Sequence, residues 1–174
     1  MNGFFMLSLM SAAVIGSGVS AGSQGTISLA SDSFKNGEYI EKDYTCEGKD
    51  LSPELHWSFR GNAASFAVTC DDPDAPGGDF VHWVIYNIPG TDSGLPKGFP
   101  KKQEHNGILQ GTNDFPGTGY NGPCPPRGKP HRYIFTVYAL DTRITDKNLS
   151  LADLKKAVKG HVLASAAITG MYKR

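Results

Sequence analysis

The sequence predicts a mainly β protein built as one domain. Three observations carry that expectation. The chain has 174 residues, enough for a single compact core. Its 21 glycines and 11 prolines exceed what a helical bundle tolerates. They also punctuate short runs rich in Val, Ile, Tyr and Phe, the residue types that fit a pleated, half-buried surface.

Residues 1–21, MNGFFMLSLMSAAVIGSGVSA, carry no charged side chain, run apolar from Phe4 to Ile15 and end in the small residues Val19-Ser20-Ala21. That pattern predicts a signal peptide cut after Ala21, leaving a domain over residues 22–174 in a secreted or periplasmic protein. The apolar part falls short of the roughly 20 residues a spanning helix needs, so no transmembrane anchor is expected after processing. Residues 26–34 alternate polar and apolar side chains and read as a first strand. Leu51 to Trp57 is a second extended piece. Ser65–Cys70 and His82–Ile88 (HWVIYNI) are the clearest central strands, joined through Asp71-Asp72-Pro73-Asp74-Ala75-Pro76.

From Pro89 to Pro116 no helical period is visible, and a long functional or surface-wrapping loop is expected. His131–Leu140 (HRYIFTVYAL) reads as a strand buried on both faces, with Tyr133, Phe135, Val137 and Ala139 on one of them. The one helix expected spans about 150–162, with Ser150 three residues ahead of Asp153 as a capping signal and Leu151, Leu154, Ala157 and Val158 on one stripe. Lys155, Lys156 and Lys159 form its solvated face. Ser165–Tyr172 closes the chain as a last strand. Nothing repeats internally.

Lys plus Arg and Asp plus Glu are both 17, so no net field draws the chain to nucleic acid or to an anionic membrane, and any anion must be held locally. Three cysteines permit one disulfide and one free thiol. Cys70 ends a strand-like apolar run and reads as a buried small hydrophobe, whereas Cys46 and Cys124 lie in Gly-rich loops. In an oxidising compartment Cys46–Cys124 is therefore the expected bridge.

Two polar segments abut strand ends. One is Asp71 to Pro76 ahead of His82. The other is Gly119-Tyr120-Asn121-Gly122-Pro123-Cys124-Pro125-Pro126 ahead of His131-Arg132-Tyr133. Imidazole and phenol donors, with backbone amides in a Gly-rich nest, suit a small anion. A carboxylate such as Asp72 would repel that anion unless it orients a histidine or shares a proton. Each residue also has a bland reading: Asp74 as a turn former, Arg132 as an ion-pair residue, Tyr133 as a core aromatic.

DPDAP followed by His82-Trp83, and Gly122 to Tyr133 (GPCPPRGKPHRY), together with Tyr44-Thr45-Cys46-Glu47-Gly48 and Leu51-Ser52-Pro53, resemble the signature segments of the phosphatidylethanolamine-binding protein family. The similarity is greatest to its bacterial and archaeal Raf kinase inhibitor-like branch. The resemblance implies a large central antiparallel sheet, a smaller sheet and one or two short helices around a shallow anion pocket. Its site residues carry over as Asp72, His82, Gly122, Cys124, His131 and Tyr133, to which the Gly-rich segment adds Tyr120. It also implies a cis bond at Ala75-Pro76.

Two functions follow as expectations. The first is a non-catalytic binding protein for a small anionic ligand or phospholipid headgroup, or an inhibitor-like regulator of a partner protein through that pocket, with no cofactor. The second is a hydrolase, either a metal site of Asp72, Asp74, His82 and His131 or Cys124 attacking with His131 as base. Neither form has a supporting HExxH, GxSxG or phosphate-loop motif.

Overall fold

A computed structural model describes residues 25–174. The expected signal peptide at 1–21 lies outside these residues. Among the described residues no helix is long and apolar enough to cross a membrane.

The strands run β1 (Thr26–Ala30), β2 (Leu55–Arg60), β3 (Ser65–Asp72), β4 (Phe80–Pro89), β5 (Gly94–Leu95), β6 (Glu104–His105), β7 (Ile108–Gln110), β8 (His131–Leu140) and β9 (Val162–Tyr172), with one helix, α1 (Leu151–Ala157), between β8 and β9. A six-stranded sheet has the order β6-β7-β4-β3-β8-β9, and a three-stranded sheet the order β1-β2-β5. All the named strand pairs are antiparallel. The mainly β expectation, with a large sheet, a smaller sheet and one short helix, describes this architecture.

β3 and β8 occupy the middle of the large sheet because their side chains are apolar on both faces. Tyr133, Phe135, Val137 and Ala139 are fully buried against the small sheet, in a core shared with Trp57, Phe66, Val68 and Trp83. The opposite face is only half-covered along β8, where Ile134, Thr136 and Tyr138 are intermediate in burial. There Ala67, Val84, Tyr86 and Leu140 pack under Leu151, Leu154 and Val158 of the helix segment.

Ser150 caps α1 as expected, its hydroxyl accepting from the Asp153 N–H at 3.2 Å. The helix ends at Ala157, earlier than the expected 162. Gly160 takes φ +84° in the turn that follows, and β9 already begins at Val162. The loop after Pro89 also differs from expectation, since it contributes β5, β6 and β7. These strands are two or three residues long and are defined by backbone pairing rather than by side-chain period. Ala75–Pro76 is trans, not cis as the family resemblance implied.

Candidate functional site

The site forms where the same ends of β3, β4 and β8 meet. Along β3 and β8, Asp71 lies opposite Ile134 and Cys70 opposite Phe135, which puts the buried Asp72 and Tyr133 on the core side of the sheet. On β4 the register breaks: Cys70 pairs with Trp83 but Asp71 pairs with Val81, so His82 is an extra residue in a bulge. A bulge resets the alternation of side chains. It lets Trp83 fill the core while Phe80 and His82 turn to the cavity. The freed His82 carbonyl accepts from the Asn121 N–H at 3.1 Å and from Asn113 Nδ2 at 3.2 Å, which docks the loop 113–121 onto the bulge.

A cavity of about 170 Å³ results, with Asp72, His82, His131 and Tyr133 in its wall alongside Phe80 and Phe115. Ala75, Pro76, Cys124, Pro125 and Pro126 complete the rim. Phe80, Phe115 and Tyr133 each stand edge-on to the His82 ring, with centroids 5.4, 5.2 and 5.1 Å away. The wall is therefore mostly hydrocarbon, with a few polar atoms directed inward.

The hydrogen bonds fix which imidazole nitrogens face the cavity. His131 Nδ1 lies 2.8 Å from Asp72 Oδ2 in a pair whose side chains are about 5% exposed or less. A carboxylate accepts, so Nδ1 carries the proton. The other Asp72 oxygen accepts the Asp74 N–H at 2.8 Å, and Asp72 is held as an orienting group. His82 Nδ1 lies 2.6 Å from the Asn121 carbonyl, which can only accept, so that nitrogen is protonated as well. Nε2 is left as the free nitrogen on both rings. A neutral ring presents a lone pair there, and only a charged ring presents an N–H. Burial pushes the His82 pKa below its usual value, against the pull of the Asn121 carbonyl and the Asp72 charge.

The Tyr133 hydroxyl is the unsettled group. Burial and then the nearby Asp72 charge raise its pKa well above the usual phenol range. The hydroxyl is buried, and the Asp72 carboxylate beside it does not reach good hydrogen-bond geometry. Such orphans are rare in folded proteins, and one facing a cavity points to a missing ligand or water.

Two of the expected site residues are elsewhere. Tyr120 is buried behind the site, its hydroxyl donating to the Tyr44 carbonyl at 2.8 Å and its ring stacked on Phe135. Gly122 has its N–H committed to Asp50 Oδ1 at 2.7 Å, and a Cβ there would meet the Tyr44 carbonyl oxygen at 2.2 Å. Part of the expected amide nest is therefore committed elsewhere. The Asn121 N–H is tied to His82, and Pro123, Pro125 and Pro126 have none.

Cys124 does line the cavity, bridged to Cys46 across 78 residues, while Cys70 is free and buried. A bridged Cys124 cannot act as a nucleophile. The expected metal set is not assembled either. Among the described residues only Asp32, Glu54 and His56 bring three ligand atoms within 4.8 Å of one another. Asp74 instead holds Arg132 through the backbone N–H, Nε and Nη2 at 2.9 to 3.0 Å. That guanidinium lowers the Asp74 pKa to about 2. Phe80, Phe115, Asn113 and Asn121 were not anticipated from the sequence. Asn113, Phe115 and Asn121 lie in loops without a periodic signal, and Phe80 opens β4 ahead of the strand start expected at His82.

Comparison with known proteins agrees on one family. Residues 30–173 match the family profile described as phosphatidylethanolamine-binding protein. A UPF0098 protein of Aquifex aeolicus is 49% identical over 148 residues, covering 83% of this chain and 86% of the relative. The UPF0098 protein YbcL of Escherichia coli is 39% identical over 158 residues, with 83% and 86% covered. The crystal structure of E. coli YbcL, described as a new member of the mammalian PEBP family, superposes with a TM-score of 0.77. It is 38% identical and the match covers 85% of this chain and 98% of that one. A PEBP homologue from Chlamydia trachomatis also reaches a TM-score of 0.77, at 34% identity with 85% and 97% covered.

Proposed function

Taking as premise that this chain belongs to the phosphatidylethanolamine-binding protein family, we propose that it is a non-catalytic binding protein. Its cavity between Asp72, His82, His131 and Tyr133 captures a small oxyanion such as phosphate or a phosphorylated headgroup, and a partner protein is regulated through the occupied pocket. The observation that carries this reading is the Tyr133 hydroxyl, buried without a partner beside two imidazoles whose Nε2 atoms are free. An oxyanion supplies the acceptor that all three lack once the rings are charged.

The apolar wall favours an anion that arrives with little bulk, and it strengthens each charge-assisted bond by excluding water. Capture takes up a proton. In the neutral state both Nε2 atoms repel an unprotonated oxyanion, so the bound state is one in which an imidazole is charged or the ligand keeps a proton. Asp72 fixes the His131 ring by accepting from its Nδ1. The Cys46–Cys124 bridge and the apolar residues 4–15 support an exported location, where this binding would operate on extracytoplasmic ligands.

Calorimetry with sulfate tests the reading, because sulfate keeps its double charge while histidine titrates. Affinity is expected to rise as pH falls from about 8 to about 6, the range in which an ordinary histidine near 6.5 gains its proton. His82→Ala and His131→Ala should each weaken binding by more than about tenfold, the loss of one charge-assisted donor. The pH trend should survive in Asp72→Asn and vanish in the double histidine variant. Sulfate affinity that is flat with pH and equal in the wild type and the double variant would remove the proposal.

A further inference from the structure

Beside the site lies a second cavity of about 360 Å³, lined by Asp74, Pro76, Pro126, Arg127, Lys129 and His131. Three of these residues, Pro76, Pro126 and His131, also line the first cavity, so the two cavities adjoin at the His131 ring and the two prolines. Arg127 and Lys129 are exposed on the segment between Pro126 and His131. Among the described residues neither has a carboxylate within ion-pair distance, whereas the neighbouring Arg132 is fully engaged by Asp74. That engagement also neutralises the one carboxylate in the wall. Gly128, between the two cations, takes φ +142°, open to glycine, and this turn brings both flanking side chains to the same cavity.

We propose that Arg127 and Lys129 form a second anionic subsite, so that the preferred ligand class carries two anionic groups a short bridge apart, as in a diphosphate. This deepens the binding reading and rests on it for the inner group alone. The inner cavity is built to hold one oxyanion through buried donors with fixed geometry. Its own protein charge is small, because Asp72 offsets a charged His131. The outer cavity is the reverse: open to water and loosely shaped, with two cations that form no ion pair among the described residues and the Arg174 carbonyl oxygen accepting from the Gly128 N–H between them at 3.4 Å. A guanidinium and an ammonium two residues apart suit phosphate oxygens, the first by paired donors and the second as a compact charge. A ligand with one charge satisfies only the inner set. A ligand with two charges, the inner one at the imidazoles and the outer one at Arg127 and Lys129 past the shared His131 edge, satisfies both sets.

Calorimetry compares inorganic pyrophosphate with inorganic phosphate at one pH and about 0.01 M ionic strength, where the screening length is about 30 Å. For the wild type, pyrophosphate is expected to bind at least about tenfold more tightly, an advantage that shrinks as salt is added. In Arg127→Gln/Lys129→Gln the advantage disappears, and phosphate affinity, which feels the two lost charges only through space, falls by less than pyrophosphate affinity. The control variant Lys155→Gln/Lys159→Gln, which removes two exposed lysines of the helix segment, keeps the advantage. Equal affinities in the wild type, or an advantage that survives Arg127→Gln/Lys129→Gln or is lost in the helix control, would overturn the subsite. If it falls in this way while phosphate still binds and depends on His131, the inner pocket stands alone. Pyrophosphate binding that ignores His131→Ala but is lost in Arg127→Gln/Lys129→Gln supports the subsite and sinks the inner-pocket reading.

Discussion

Replacing Tyr133 by Phe removes one oxygen and separates a structural role from a binding one. The hydroxyl is buried with no partner, so the ligand-free protein carries the desolvation cost of an unmade hydrogen bond, about 1–3 kcal/mol. The ring itself stays, edge-on to His82. In anion-free buffer Tyr133→Phe should therefore be at least as stable as the wild type, by about 1 kcal/mol, which corresponds to a rise in Tm of about 2–4 °C for a domain of this size. Sulfate reverses the order. At a concentration 100 times the wild-type Kd, the wild type gains about 2.7 kcal/mol from ligand linkage. A variant whose affinity has fallen about thirtyfold gains only about 0.9 kcal/mol under the same conditions. Paired thermal melts with and without sulfate should then cross, with the variant ahead without anion and behind with it. A variant that is clearly less stable in anion-free buffer would mean that the hydroxyl has a protein partner. Equal stabilisation of both proteins by sulfate would mean that Tyr133 does not face the anion.

Two further outcomes follow. The Cys46–Cys124 bridge closes a loop of 78 residues, and the chain-entropy relation assigns such a closure about 4.5 kcal/mol. Cys46→Ser/Cys124→Ser should lower the guanidinium midpoint by about 1 M at an m-value of about 4 kcal/mol/M, and an unchanged midpoint would contradict it. His82 has its pKa lowered by burial in the folded state, so the unfolded chain takes up more protons than the folded one once pH drops below the unfolded value of about 6.5. Stability in anion-free buffer should accordingly decline between about pH 7 and pH 5. Urea titrations should show a shallower decline for His82→Gln, and an identical slope in the two proteins would refute the assignment.

The central strands were legible because nothing else competes for such sequences. Ser65–Cys70 and His131–Leu140 are apolar and β-branched or aromatic, and each is flanked by turn residues. The short strands β5 to β7 were not legible, since two or three residues paired through the backbone leave no period to detect. Five of the seven expected site residues line one cavity, and the two that do not, Tyr120 and Gly122, show the limit of reading along a chain. Their neighbours in space, Tyr44 and Asp50, are more than 70 residues away in sequence. The bulge at His82 was equally hidden. Its residue types permit regular alternation, and only the pairing with β3 shows that His82 has no opposite number.

The order of strands in the large sheet constrains how the chain can be made. β3 is central, with β4 on one flank and β8 on the other, yet β4 follows it directly while β8 begins 59 residues after Asp72. During vectorial synthesis or passage through a translocation pore, β3 and β4 can form their hairpin early. The other edge of β3, with the apolar Phe66, Ala67 and Val68, stays open until residues 131–140 arrive. An open central edge of that composition is a template for intermolecular pairing. A nascent chain halted before His131 therefore has neither site nor sheet closure, and that edge is its most aggregation-prone surface.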